Sequence, residues 1–202
     1  MTLDDVKKKA VEKGERIMLA YETMYSRSFA SFPRVEASWT NDMHAYEVLG
    51  LHHGVYFYVD IDSQSHVEDV VCTITSLAQR YLDFTPSVQV ATASSQTKHS
   101  YHIVTDIALE SITDAGSFAY MVHHDHPEID MNVYKAHQNW RMLYQSKAND
   151  PSRPLIPYGS CSINVADHMI GIYDMSIEKK RFTALHTRHV RTGKSITEYL
   201  DM

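Results

Sequence analysis

Cysteine is scarce in this chain. Its two cysteines, Cys72 and Cys161, stand far apart and match no C-x-x-C spacing, which excludes a zinc ribbon and a disulfide framework. Both are expected as buried thiols. Long apolar runs are missing too: no stretch approaches the roughly 20 residues that span a bilayer, and Met1-Thr2-Leu3-Asp4-Asp5 lacks the apolar centre of a signal peptide. The expectation is an intracellular protein with no membrane partner. An excess of basic charge is lacking as well, and a net charge of −6 with a pI near 6.1 argues against a general nucleic-acid coating protein. Repeats, low-complexity segments and linkers are absent, so residues 1–202 are expected to form a single domain.

What is present is an ordinary globular composition, 44% apolar and 22% charged. Leu3, Val6, Ala10, Ile17, Ala20 and Met24 recur at helical intervals and predict an amphipathic helix over 3–25. Residues 26–50 read as loop with a short strand near Val35 to Trp39. A strand over 55–62 follows, then a helix from Ser65 or His66 to about Tyr81. Residues 87–93 and 100–107 read as two strands, and Ile112 to His123 as a helix capped by Ser111 or Thr113. A strand pair is expected around Val133–Tyr134 and Asn139–Gln145. Residues 161–174 fit strand or helix equally, and the tail from Ser195 reads as a short helix. Strands and helices mixed without steady alternation point to an α+β fold.

The strand 55–62 carries the first chemistry. Successive side chains alternate, so Val55, Phe57, Val59 and Ile61 face one way while Tyr56, Tyr58, Asp60 and Asp62 face the other. Two carboxylates at the end of an anchored strand suit a hard divalent cation. Taken alone, such a pair more often marks a solvated strand end or a helix cap. Lys98, Ser100 and His102 form a second group, an ammonium, a hydroxyl and an imidazole on one face of a strand, a donor ladder for phosphate oxygens. The third is Asp130 after an apolar residue, followed by Asn139-Trp140-Arg141 and Ser146-Lys147, whose cations could neutralise phosphates. Basic residues gather in two sets. One holds Lys135, Arg141, Lys147 and Arg153; the other holds Lys179, Lys180, Arg181, Arg188, Arg191 and Lys194. Either set could hold phosphates, and the second fits a solvated tail as well.

In order and spacing, Asp60-Ile61-Asp62, Lys98-His99-Ser100-Tyr101-His102 and Ile129-Asp130 with the Asn139-Trp140-Arg141 and Ser146-Lys147 run resemble the three motifs of the archaeo-eukaryotic primase superfamily, closest to the PrimPol and herpes, pox and large-DNA-virus branch. The likeness covers residues 55–147, and loosely extends to 175 through Asp167 to Asp174. It implies a primase-polymerase core with mixed or antiparallel sheets and an RRM-like module flanked by helices. It also implies that Asp60, Asp62 and Asp130 hold catalytic Mg²⁺ or Mn²⁺. Lys98, Ser100, His102, Arg141 and Lys147 would then bind the incoming nucleotide.

The partners implied are a single-stranded DNA template, nucleoside triphosphates, and a helicase or zinc-binding module in the same or another chain. Cytoplasm, nucleus and viral replication site are not distinguished. One position departs from the pattern: Gln138 stands where the branch often has arginine, with Lys135 or His137 as nearby substitutes. The Tyr56 and Tyr58 face could stack a base. His123-His124-Asp125-His126 falls where a helix should end, a place that favours histidine. Two rivals are a metal-dependent nuclease or rolling-circle initiator using the aspartates and that cluster, and a non-catalytic RRM-like nucleic-acid-binding module.

Overall fold

The computed structural model describes residues 2–49, 54–62, 66–95, 98–135 and 138–182. Helix α1 (Leu3–Lys13) begins with a capping box in which Thr2 and Asp5 satisfy each other's backbone N–H groups, and it ends at Gly14 in the left-handed conformation, φ 69°. The helix expected over 3–25 therefore stops near its middle. Ile17–Glu22 is strand β1, because residues 17 to 20 are apolar throughout and are buried on both faces. Ile17 and Leu19 pack with Trp39 and Leu143, while Met18 and Ala20 pack with Val6 of α1, Tyr46 and Val48.

The loop expected over 26–50 is mostly sheet. Arg27–Phe32 is β2 and Ala45–Val48 is β3, whereas the strand expected at Val35 to Trp39 is a 3₁₀ turn over Ala37–Thr40. β2 is an edge strand whose residues are exposed or only partly buried, and β3 is four residues long with a buried glutamate inside it. Neither carries a clean alternating pattern. The first sheet has order β2-β1-β3-β7, where β7 is Asn139–Arg141. The expected strand pair around 133 and 139 is not formed: Met131–Val133 is a 3₁₀ turn, and β7 pairs with β3 instead.

The second sheet has order β4-β6-β5-β8, from Val55–Ile61, Tyr101–Leu109, Val88–Thr92 and Ile156–Pro157. All its neighbours are antiparallel. Between β4 and β5 runs α2 (Val67–Leu82), and after β6 comes α3 (Ile112–Asp125), capped by Ser111. β6 is thus inserted between β4 and β5, a split β-α-β arrangement. The helices bury Val70, Ile74, Phe118 and Val122 against Phe57, Val59 and Ile61, with Phe57 and Phe118 edge to face at 4.7 Å.

Residues 161–174, open between strand and helix, form a 3₁₀ turn over Val165–His168 and then a strap. Tyr56 donates to Ile170 O at 2.8 Å and Ile172 to Gly54 O at 2.9 Å, so the strap lies along β4. On the first sheet, fully buried Glu47 of β3 accepts from the strap's Ile170 N–H (2.8 Å), Gly171 N–H (2.9 Å) and Tyr173 hydroxyl (2.6 Å). One carboxylate therefore ties the two sheets together. Burial pushes its pKa up against these three bonds.

Two smaller expectations are corrected. Cys72 is exposed on α2, and Cys161 is only partly buried, accepting from Val90 N–H at 3.3 Å. The tail helix from Ser195 lies outside the described residues. Among those residues no helix is long and apolar enough to cross a membrane.

Candidate functional site

The site is built by strand register. Asp60 on β4 stands directly opposite His102 on β6, so two groups 42 residues apart in sequence are placed side by side by a pairing that the apolar alternation fixes. His102 Nε2 is 3.8 Å from Asp60 Oδ1. Ile61 bridges Ile129, and Asp130 donates its backbone N–H to Asp60 O at 2.9 Å, which brings the third acid beside the first. Asp62 lies just beyond β4 and accepts from Lys98 Nζ at 3.0 Å and from the Ser100 hydroxyl.

The first sheet supplies the opposing wall. Arg141 on β7 pairs with Tyr46 on β3, and the Trp140 indole packs on the His102 ring at 4.1 Å, tilted by 36°, and meets Tyr58 edge to face at 4.9 Å. Asp60, Asp62, Ser100, His102, Arg141 and Lys147 line one cavity of about 140 Å³, completed by Tyr46, Gln138, Asn139 and Trp140. Six of the eight residues singled out in the sequence thus meet in one space. Lys98 joins through Asp62, and Asp130 through Asp60.

Some placements differ from expectation. β6 begins at Tyr101, so Lys98 and Ser100 reach the site from the loop before it and not from a shared strand face. The proposed stacking face is not available: β4 shifts register between Tyr56 and Tyr58, and Tyr58 is fully buried, with its hydroxyl donating to Val133 O at 3.0 Å. Of the second basic set, Lys180 bridges Leu109, at the opposite end of β6 from His102, and Arg181 pairs with Glu110. Arg188, Arg191 and Lys194 lie outside the described residues. In the first set Lys135 does not line the cavity, Arg153 donates to Ala93 O at 2.8 Å, and His137 is outside the described residues. His126 closes α3 as expected, its ring meeting Thr73 at 2.9 Å and Glu128 at 3.3 Å, while His124 and Asp125 are exposed.

Electrostatics mark out Asp60. Burial, then the nearby Asp62 and Asp130, push its carboxyl up to about 7 against the pull of Arg141 and Lys147. Its Oδ1 is enclosed without a hydrogen-bond partner. Burial also works to raise Asp62, but the bonds from Lys98 and Ser100 prevail and hold it below the usual carboxylate range. His102 is 6% exposed, and burial, reinforced by Arg141, Lys147 and His168, drives its pKa well below the ordinary imidazole value. It is therefore a neutral imidazole at physiological pH. Arg141 is 5% exposed, its Nε has no partner, and Nη1 donates to Arg153 O at 3.4 Å.

This donor set suits a divalent cation. An enclosed, unpartnered carboxylate oxygen flanked by two further acids is a charge that a cation would relieve. The acids are not gathered as a ready cage: Asp62 turns to Lys98, and Asp130 Oδ1 accepts from Asn132 N–H at 2.8 Å and from its side-chain amide at 2.9 Å. Among the described residues no three His, Cys, Asp or Glu side chains converge.

Sequence reasoning missed Tyr46, which lies in a stretch read as loop, and the ring contact of Trp140. The only signal for either was the Trp140-Arg141 neighbour pair. No protein-family model matches the chain, and no curated protein matches it.

Proposed function

We propose that this cavity is a nucleotidyl-transfer site and that the chain is a primase-polymerase core, which makes or extends short primers on single-stranded DNA from nucleoside triphosphates. The observation that carries this reading is the register pairing of Asp60 with His102 in a cavity that also takes Asp62, Ser100, Arg141 and Lys147. The resemblance of the three motifs and the split β-α-β sheet support it. Asp60, Asp62 and Asp130 would hold Mg²⁺ or Mn²⁺. Such ions, when bound, lower the pKa of a 3′-hydroxyl and stabilise both the attacking and the leaving oxygen.

The chain's own residues do the rest. The free Nε of Arg141 gives a guanidinium donor toward phosphate oxygens from a desolvated position, where a charge-assisted hydrogen bond is strong. Lys147 is exposed at the cavity mouth and adds charge. Neutral His102 offers one ring N–H, and the Ser100 hydroxyl, which donates to Asp62, would turn to phosphate once a cation took over that carboxylate. The tilted Trp140 indole, 4.1 Å away, packs against the imidazole and limits its movement. Catalysis then rests on positioning and fixed charge, and no protein nucleophile is required.

Incubation with a single-stranded circle, labelled nucleotides and Mg²⁺ or Mn²⁺, without primer and then with one, tests the reading. Labelled product is expected for the wild type, with Asp60→Ala and Asp62→Ala each losing incorporation by about a thousandfold while still unfolding cooperatively. No incorporation with or without a primer, or full activity in either variant, rejects it. Shortening of the DNA without triphosphates would instead favour a nuclease.

A further inference from the structure

We infer that a second groove, which adjoins the proposed site across Tyr46 and Lys147, is the track on which single-stranded DNA lies, and that the tip of the β1-β2 hairpin is its stacking platform. The inference rests on the nucleotidyl-transfer reading of the adjoining cavity. Tyr46 and Lys147 line both spaces. The second space, about 360 Å³, extends from them to Glu22, Thr23 and Met24 at the hairpin tip. A strand crossing Tyr46 and Lys147 would therefore pass from the site to the space that ends at the tip.

The tip presents what a base needs. Met24, which lines the groove, is 72% exposed, and Tyr25, next to it in the turn, is 94% exposed. Exposure of this kind has a cost unless a partner covers it. The turn holding them is stiff: Thr23 donates its N–H and its hydroxyl to Ser26 O, and its Oγ1 accepts from both Tyr25 N–H and Ser26 N–H. Behind the tip, Arg27 pairs with Glu22 at 2.6 Å and lies 5.6 Å over the Tyr46 ring, so the groove floor is polar and pre-set. An exposed aromatic on a stiff turn, next to a soft thioether, suits the face of any base, and Lys147 is placed for the phosphate that follows. That combination fits a flexible nucleic-acid strand with no fixed sequence better than a protein, which would need an apolar floor.

The test uses Tyr25→Trp, whose new indole is exposed while Trp39 and Trp140 are buried. Titration with unlabelled oligo(dT) is followed by the emission of this variant relative to wild type. Separately, binding of fluorescein-labelled oligo(dT) is compared by anisotropy between wild type and Met24→Ala/Tyr25→Ala. Quenching of the new indole, together with at least about a fivefold loss of affinity in the double variant, is expected from loss of base stacking. A wild type that binds oligo(dT) while the indole is unmoved and the double variant binds within twofold overturns the groove assignment. So does a wild type that fails to bind. In both cases the nucleotidyl-transfer reading is judged separately by incorporation on the circle. A change in indole emission with protein concentration alone, without DNA, also overturns the inference and assigns the tip to a second copy.

Discussion

At the scale of single residues, Asp60 is where function and stability pull against each other. Its carboxyl titrates near 7 in the folded chain against an ordinary 3.8. Between those values the folded protein holds a proton that the unfolded chain releases. Stability therefore falls as pH rises through that window and stays lower above it. A carboxyl lifted from 3.8 to about 7 in full corresponds to about 4 kcal/mol. A side chain still one quarter exposed is partly screened, and about 2 kcal/mol is a more reasonable expectation. Asp60→Asn should thus be more stable than wild type by about 2 kcal/mol near pH 8, and the two should converge below pH 4. Urea midpoints at both pH values decide the matter. Equal stability near pH 8 would mean that Asp60 is already satisfied as an anion, which would remove the main physical reason for a cation there.

At the scale of elements, legibility followed the strength of the alternating or helical pattern. β4, α2, β5, β6 and α3 were readable because each buries one continuous apolar set. The eight candidate residues lie on or next to these elements and the turn and strand that follow, so most of the site was readable too. The first sheet was not. In β1 an all-apolar run satisfies helical spacing as well as strand spacing, and only the left-handed turn at Gly14 decides between them. In β3, Glu47 breaks the pattern of a buried strand, since a carboxylate inside a sheet is costly unless other segments supply donors. Those donors come from residues 170 to 173, about 125 positions on, and no local signal announces them. The Glu47 tie also explains Gly171. A Cβ there would stand 2.6 Å from the Tyr173 hydroxyl and 2.7 Å from Glu47 Oε1, both held in the buried bond network. Gly171→Ala is expected to cost about 2 kcal/mol or more through overpacking and loss of those bonds. Denaturant unfolding measures it, and a loss below about 0.5 kcal/mol would show that the strap yields freely and does not couple the sheets.

At the scale of the whole molecule, the cavity exists only where two sheets face each other: one brings Tyr46, Trp140 and Arg141, the other Asp60, Asp62, Ser100 and His102. A ligand that bridges the acids should therefore stabilise the assembled chain and not one strand alone. For a divalent ion at about one hundred times its dissociation constant, binding to the folded state alone adds about 2.7 kcal/mol. That corresponds to a rise in Tm of roughly 5 to 10 °C for a chain of this size. Asp60 must lose its proton to ligate, so the rise with Mn²⁺ should be larger near pH 8 than near pH 6, which is the reverse of the trend in the metal-free protein. Asp60→Asn and Asp62→Asn should abolish the rise, while Tyr25→Ala, remote from the acids, should retain it. Differential scanning fluorimetry across Mn²⁺ concentration at the two pH values reads all of these in one series. A shift that persists in both Asn variants would place the ion elsewhere on the surface and leave the inter-sheet cavity without a metal to organise it.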